Sequence, residues 1–100
     1  MNELIRTATF DRWLQALRDP VGKARILARL RSAQFGHFGD CESVGRGIQE
    51  MRIHHGPGYR IYFCRREGAV YLLLCAGDKG SQARNIRQAK QLLAELEEEP

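Results

Sequence analysis

The sequence predicts an α+β fold built on a mostly antiparallel sheet of four to five strands, with an N-terminal helix hairpin and a C-terminal helix. Three observations carry that expectation. Strand-like runs cluster between residues 41 and 76 instead of alternating with helices. Apolar residues recur at helical spacing only before and after that cluster. Gly45-Arg46-Gly47 and residues 65–68 separate neighbouring runs by turns short enough for hairpins.

Residues 4–7 read as a first short strand. Thr9 is a candidate N-cap, with Asp11 in the first turn and Phe10, Trp13, Leu14 and Leu17 at helical spacing. Asp19-Pro20 ends that helix, because proline disfavours helical geometry in the residue before it. Pro20 also suits the start of a second helix, residues 21–33. Its expected apolar stripe is Ala24, Leu27, Leu30 and Ile26, and its outer surface Lys23, Arg25, Arg29 and Arg31. So short a connection predicts antiparallel packing of the two helices. Gly36 and Gly39-Asp40 close the helical part.

A weak strand over residues 41–44 precedes three stronger ones, near 48–54, 59–64 and 69–76. The last is apolar on both faces, which predicts a central strand covered on each side. After Gly77-Asp78-Lys79-Gly80, Ser81 is the expected cap of a final helix with Ala83, Ile86, Ala89, Leu93 and Leu96 on one face.

One hundred residues, 43% hydrophobic and 28% charged, predict one small globular domain over residues 1–100 and argue against disorder. The longest uncharged apolar run, residues 69–77, is far too short to span a membrane. The N-terminal residues lack a secretory h-region, so a cytoplasmic location is expected. Cys41, Cys64 and Cys75 are widely spaced and odd in number, which fits small buried hydrophobes in a reducing compartment better than disulfides or zinc. No metal or other cofactor is expected. The net charge of +4 is uneven: residues 1–66 hold twelve Lys/Arg against six Asp/Glu, and the acidic excess lies at Glu95, Glu97, Glu98 and Glu99. A basic body suits a polyanion such as nucleic acid, and equally suits solubility.

The richest chemistry lies in residues 50–63, EMRIHHGPGYRIYF. Alternation along two strands puts Arg52, His54, Arg60 and Tyr62 on one face and Met51, Ile53, Ile61 and Phe63 on the other. Arginine binds phosphate oxygens with a planar fork, histidine titrates near neutrality and tyrosine stacks on bases.

Several blocks together carry a resemblance. They are Phe10…Trp13-Leu14, Ala28-Arg29-Leu30, Gly36-x-Phe38-Gly39-Asp40, Gly45-x-Gly47, Glu50-Met51-Arg52-Ile53, Gly56-Pro57-Gly58-Tyr59-Arg60-Ile61-Tyr62-Phe63 and Leu73-Leu74-Cys75-Ala76-Gly77-Asp78-Lys79, completed by Gln82…Ile86…Ala89-Lys90. With the order β-α-α-β-β-β-α, the chain resembles the RelE/ParE superfamily of bacterial toxins, and its motifs the HigB-like addiction module killer branch. The resemblance implies a toxin of a type II toxin–antitoxin system. Its partners would be an HigA-like helix-turn-helix antitoxin from the adjacent gene, and mRNA on the ribosome. Operator DNA would be met only through the antitoxin, and no membrane partner is implied. RelE- and HigB-type members are mRNA endoribonucleases, whereas ParE-type members share the fold and poison DNA gyrase. A non-catalytic toxin-fold protein acting through its antitoxin is a third possibility.

Under the nuclease reading, Arg60, Arg52, His54, His55 and Lys79 are the catalytic candidates. Arg60 matches the family arginine at the reacting phosphate; its bland alternative is a surface arginine paired with Glu50. Arg52 matches a basic family position on the neighbouring strand. His54 and His55 are candidate proton-transfer groups or solvated loop histidines, and Lys79 would stabilise charge. Tyr62, Tyr59, Arg46, Arg65, Asp78 and Gln82 are the substrate-binding candidates. Parity favours Tyr62 for stacking and Tyr59 for the core. Asp78 would orient a histidine or cap the final helix, and Gln82 would contact a nucleotide or sit in the first helical turn. His37 is expected to be structural or exposed. Glu50 departs from the RelE pattern and would repel phosphate unless Arg52 or Arg60 neutralises it. The final helix also lacks the tyrosine that RelE stacks on its substrate.

Overall fold

The computed structural model describes residues 1–98, so Glu99, counted above in the acidic tail, lies outside the described residues. Five strands, Glu3–Arg6 (β1), Cys41–Gly45 (β2), Ile48–Ile53 (β3), Tyr59–Glu67 (β4) and Val70–Asp78 (β5), form one sheet in the order β1-β5-β4-β3-β2. All neighbours are antiparallel except β1 and β5, which run parallel. Helices α1 (Ala8–Ala16) and α2 (Pro20–Gln34) follow β1, and α3 (Gln82–Glu98) follows β5. The resemblance implied three strands after the helix pair. There are four, because the weak segment at Cys41 does join the sheet, at its edge.

The sheet carries a core on each face. On one side Phe10 and Leu14 of α1 and Ile26, Leu30 and Ala33 of α2 pack on Met51, Ile53, Tyr59, Ile61, Phe63 and Leu73. On the other, Ala89 of α3 packs on Ile48, Tyr62, Cys64, Leu72, Leu74 and Cys75. Central β5 is therefore covered on both faces, as its unbroken apolar run predicts. A bulge lies within it: Tyr62 pairs with Cys75 and Phe63 with Leu73, leaving Leu74 as the extra residue. Leu74 and Cys75 consequently share the α3 side.

Local signals place most helix ends. Asp19 caps α2, its Oδ1 accepting from the Gly22 N–H at 3.0 Å, and Pro20 takes the first turn. The cap of α1 is Thr7 instead of Thr9: its hydroxyl accepts from the Phe10 N–H at 3.1 Å and donates to the Leu74 carbonyl at 2.7 Å. That second bond, to a strand far along the chain, is what selects it. Asp78, and not Ser81, begins the last helical segment by capping a 3-10 turn, Lys79–Ser81, that runs into α3.

The phase of α2 also differs from expectation. Gly22, Ile26, Leu30 and Ala33 are buried, whereas Ala24 and Leu27 face outward. Both stripes have helical spacing, and Gly22 decides between them. A Cβ there would lie 2.6 Å from the Tyr59 ring, so only glycine lets α2 approach the sheet on that side. Arg29, expected outside, is half-buried and donates to the carbonyls of Arg52 at 2.6 Å and Phe38 at 2.9 Å. On α3, Asn85 and Ala89 are the buried residues and Ala83 is exposed.

Cys64 and Cys75 are buried and Cys41 is half-buried, all as free thiols. Burial pushes the Cys75 thiol up to about 12, so it behaves as a small apolar residue. No helix among the described residues is long and apolar enough to cross a membrane.

Candidate functional site

The β3–β4 register sets Glu50 opposite Tyr62 and Arg52 opposite Arg60. Directly opposed residues point to the same face, so all four side chains meet on the α3 side. Glu50 is fully buried there. Its Oε1 accepts from Arg52 Nε at 3.1 Å and Arg60 Nη1 at 2.9 Å, and its Oε2 from the Tyr62 hydroxyl at 2.8 Å and Gln82 Nε2 at 2.9 Å. Burial alone would raise the Glu50 pKa. The hydrogen bonds from Gln82, Tyr62 and Arg52 and the charge of Arg60 outweigh it and hold the carboxyl below its ordinary value. Glu50 therefore stays ionised in a dry site, and its charge is matched by the two arginines.

The arginines are neither lost in the core nor splayed apart. Both guanidinium groups converge on one carboxylate oxygen, with 30% of the Arg52 side chain and 14% of that of Arg60 still exposed. Arg52 also pairs with Glu42 on β2. Among the described residues Arg60 has no further hydrogen-bond acceptor, so its remaining N–H donors are available to a ligand. The surface-pair alternative and the functional one are thus both partly realised: Arg60 does pair with Glu50, but Glu50 lies beneath it and leaves its outer edge uncommitted.

Tyr62 has no open face for stacking. It is completely buried, and burial together with its bond to Glu50 pushes its hydroxyl pKa up. Tyr59 is buried on the opposite side, as parity predicts, and its hydroxyl donates to Asp19 Oδ2 at 2.6 Å. That bond pushes it up to about 12. Neither tyrosine offers a surface to a base. Gln82 donates to Glu50, and Asp78 holds its own turn, accepting from the Ser81 N–H at 3.1 Å, which is the capping role the sequence offered it.

The adjacent histidines diverge. His54 leaves the end of β3 into solvent with its side chain 75% exposed, and its Nε2 lies 2.7 Å from Asp40 Oδ2. The Asp40 N-terminal to β2 is drawn close because its carbonyl accepts from the Arg52 N–H at 2.9 Å. The hydrogen bond from His54 holds Asp40 below the usual carboxylate range. His55 instead lies 3.7 Å from Asp19 Oδ2, beside Tyr59 and the start of α2. His54 thus neighbours Arg52 through Asp40, while His55 belongs to the other side of the sheet.

Lys79 is exposed and sits against the Gly56-Pro57-Gly58 loop, its N–H 3.4 Å from the Pro57 carbonyl. Because Arg60 pairs with Gly77, Lys79 lies at the Arg60 end of the sheet. Arg46 and Arg65 do not. Arg46 occupies the β2–β3 turn with φ 56°, and Arg65 closes the β4–β5 turn by donating to the Gly68 carbonyl at 2.7 Å. Both line a separate depression of about 330 Å³ with Arg66 and Leu93 at the far end of the strands.

Three acids were the missed members. Asp40, Glu42 and Asp19 each meet a cation or histidine predicted as catalytic, whereas the pairing of Glu50 with the arginines is one the sequence already offered. Glu42 was foreseeable from the tight β2–β3 turn, which sets it opposite Glu50. Asp19 and Asp40 carry no local signal, since their partners are distant in sequence. Among the described residues no three His, Cys, Asp or Glu side chains cluster as a metal site would require. The arrangement leaves the outer N–H donors of Arg60 open to an anion, while Arg52 is shared by Glu50 and Glu42.

Residues 12–95 match the family of phage-derived proteins described as Gp49-like (DUF891). An uncharacterised protein of Haemophilus influenzae is 50% identical over 90 residues, covering 90% of this chain and 91% of that one. No solved structure matches.

Proposed function

From the premise that the chain belongs to the phage-derived Gp49-like family, which is associated with the toxins of toxin–antitoxin systems, we propose that it is such a toxin and that it cleaves RNA without a metal. The observation carrying the reading is the convergence of Arg52 and Arg60 on buried Glu50, with His54–Asp40 beside Arg52. In this reaction the ribose 2′-OH attacks the adjacent phosphorus and the 5′ oxygen leaves, giving a 2′,3′-cyclic phosphate and a 5′-OH. Arg60, fixed from beneath by Glu50, places its outer N–H groups where the phosphate oxygens gain charge. Arg52 adds positive potential but is shared with Glu42. His54, oriented by Asp40, is the proton-transfer group, and its exposure lets an RNA backbone reach it. Lys79 adds charge at the same edge. With both tyrosines buried, base stacking is left to a partner such as the ribosome, which fits a ribosome-dependent reaction.

Induced expression followed by mapping of RNA 5′ ends tests the proposal. Growth arrest with new 5′-OH ends, abolished by Arg60→Ala in a folded protein, is the expected result. Growth arrest with an SOS response and no new ends would replace it with a gyrase-directed toxin. A lack of any toxicity would favour a non-catalytic protein, for which the pairing of both arginines with buried Glu50 is the supporting feature.

A further inference from the structure

The inner face of α2 is filled by Gly22, Ile26, Leu30 and Ala33, yet its outer face is also apolar. Val21 is 55% exposed, Leu27 38% and Phe35, just past the helix, 62%. Single exposed apolar residues are ordinary, but a contiguous set marks an interaction surface. Leu27, Ala28 and Phe35, with Arg31 and His37 at the rim, line an open groove of about 970 Å³. Besides Arg29, which donates to backbone carbonyls, the helix carries Lys23, Arg25 and Arg31 and no acidic residue. Among the described residues none of these three cations has an acidic partner within 4 Å. Arg52 and Arg60, by contrast, are both paired.

We infer that this face of α2 docks an acidic amphipathic helix of another protein chain. Two properties select the occupant. The apolar floor calls for apolar side chains at i, i+3, i+4 and i+7, which a helix supplies and a phosphate backbone does not. Unpaired Arg31 at the rim, with Lys23 and Arg25 elsewhere on the same helix, calls for flanking Glu or Asp. From Ala24 to Phe35 the groove follows roughly 17 Å of helix, about three turns, at the usual rise per residue. A second copy of α2 is disfavoured, since symmetric pairing would set Lys23, Arg25 and Arg31 against one another. The chain's own run of helical glutamates, Glu95, Glu97 and Glu98, lies on α3, which covers the opposite side of the sheet. The docking face and the Glu50 cluster are likewise on opposite sides, so an occupant leaves Arg60 uncovered. This inference goes beyond the cleavage reading and stands without it; the antitoxin that reading calls for is one chain able to supply the helix.

The test titrates the full chain into a fluorescently labelled amphipathic peptide of about five turns, with Leu on one face and Glu on its flanks. A scrambled peptide of the same composition, a version with Lys for Glu, and a single-stranded RNA serve as competitors. The acidic peptide should bind about tenfold or more tighter than the scrambled and Lys forms, and Leu27→Glu should weaken it about tenfold, as loss of a central anchor does. Leu27 is on the surface, so this variant should keep its circular dichroism and melting temperature. Arg31→Glu should favour the Lys peptide. Equal binding of acidic and scrambled peptides would overturn the inference, as would an unchanged affinity in folded Leu27→Glu. RNA displacing the peptide would assign the face to nucleic acid instead. A wild-type dimer that Leu27→Glu dissociates would assign it to a second copy. RNA-end mapping with Leu27→Glu separates the two readings, because cleavage should persist when docking is lost.

Discussion

Replacing Glu50 with Gln removes one charge and one acceptor from a group that four donors share. The shape is kept, so the chemistry is tested nearly alone. The new amide can turn its oxygen toward Arg52 and Arg60, keeping both bonds. Its NH₂ then faces the Tyr62 hydroxyl and Gln82, which must rotate to accept. A bond to a charged group contributes about 1.5–3 kcal/mol and a neutral one about 1. The guanidinium donors stay charged, so what is lost is the ion-pair component of the two arginine bonds, together roughly 2–3 kcal/mol. At about 4–8 °C per kcal/mol for a chain of this size, the melting temperature at pH 7 should fall by roughly 10–20 °C. The loss has a pH signature. Glu50 titrates below its ordinary value of 4.5 when folded, so the unfolded chain binds the proton more readily. Its contribution is complete above 4.5 and disappears as pH falls through the folded pKa. Circular dichroism melts of both proteins should therefore differ most at neutral pH and converge in acid. A Glu50→Gln protein melting within a couple of degrees of wild type at pH 7 would refute the idea that this carboxylate holds the site together.

Arg60→Ala should abolish RNA cleavage and growth arrest, and Arg60→Lys should restore little, because an ammonium cannot hold Glu50 and a phosphate edge at once; a cleavage assay on both reads this directly. His54→Ala should slow cleavage by about a hundredfold or more, in the range typical of a lost acid–base group, whereas His55→Ala, on the other side of the sheet, should leave the rate nearly unchanged. Equal losses in both would contradict the assignment. Gly77→Ala should destabilise the protein, since its methyl group would collide with Asn85 Oδ1 and Ser81 Oγ where α3 meets β5 and would displace those side chains; overpacking of this kind costs about 1–3 kcal/mol, measurable by denaturant titration.

Much of the fold was legible because it depends on local chemistry. Asp19-Pro20 starts a helix whatever surrounds it, and the apolar run in β5 requires cover on both faces. The alternation across β3 and β4 correctly placed Arg52, Arg60 and Tyr62 together, since strand parity is a local property. Where the reading missed, two local solutions were equally good. Thr7 and Thr9 can each cap a helix, and α2 carries two apolar stripes; a bond to Leu74 and the tight approach at Gly22 decided these.

By itself, then, the chain order determined a sheet flanked by helices and a cationic face on two adjoining strands, because periodicity and turn chemistry act over a few residues. Tertiary structure alone decided how that face is wired. It sank Tyr62 out of reach, buried Glu50 beneath both arginines at once, sent His54 to Asp40 and His55 to Asp19, and left an apolar stripe of α2 uncovered. Each outcome depends on how much water reaches a group and which distant carboxylate lies within bonding range, and neither quantity exists until the layers have packed.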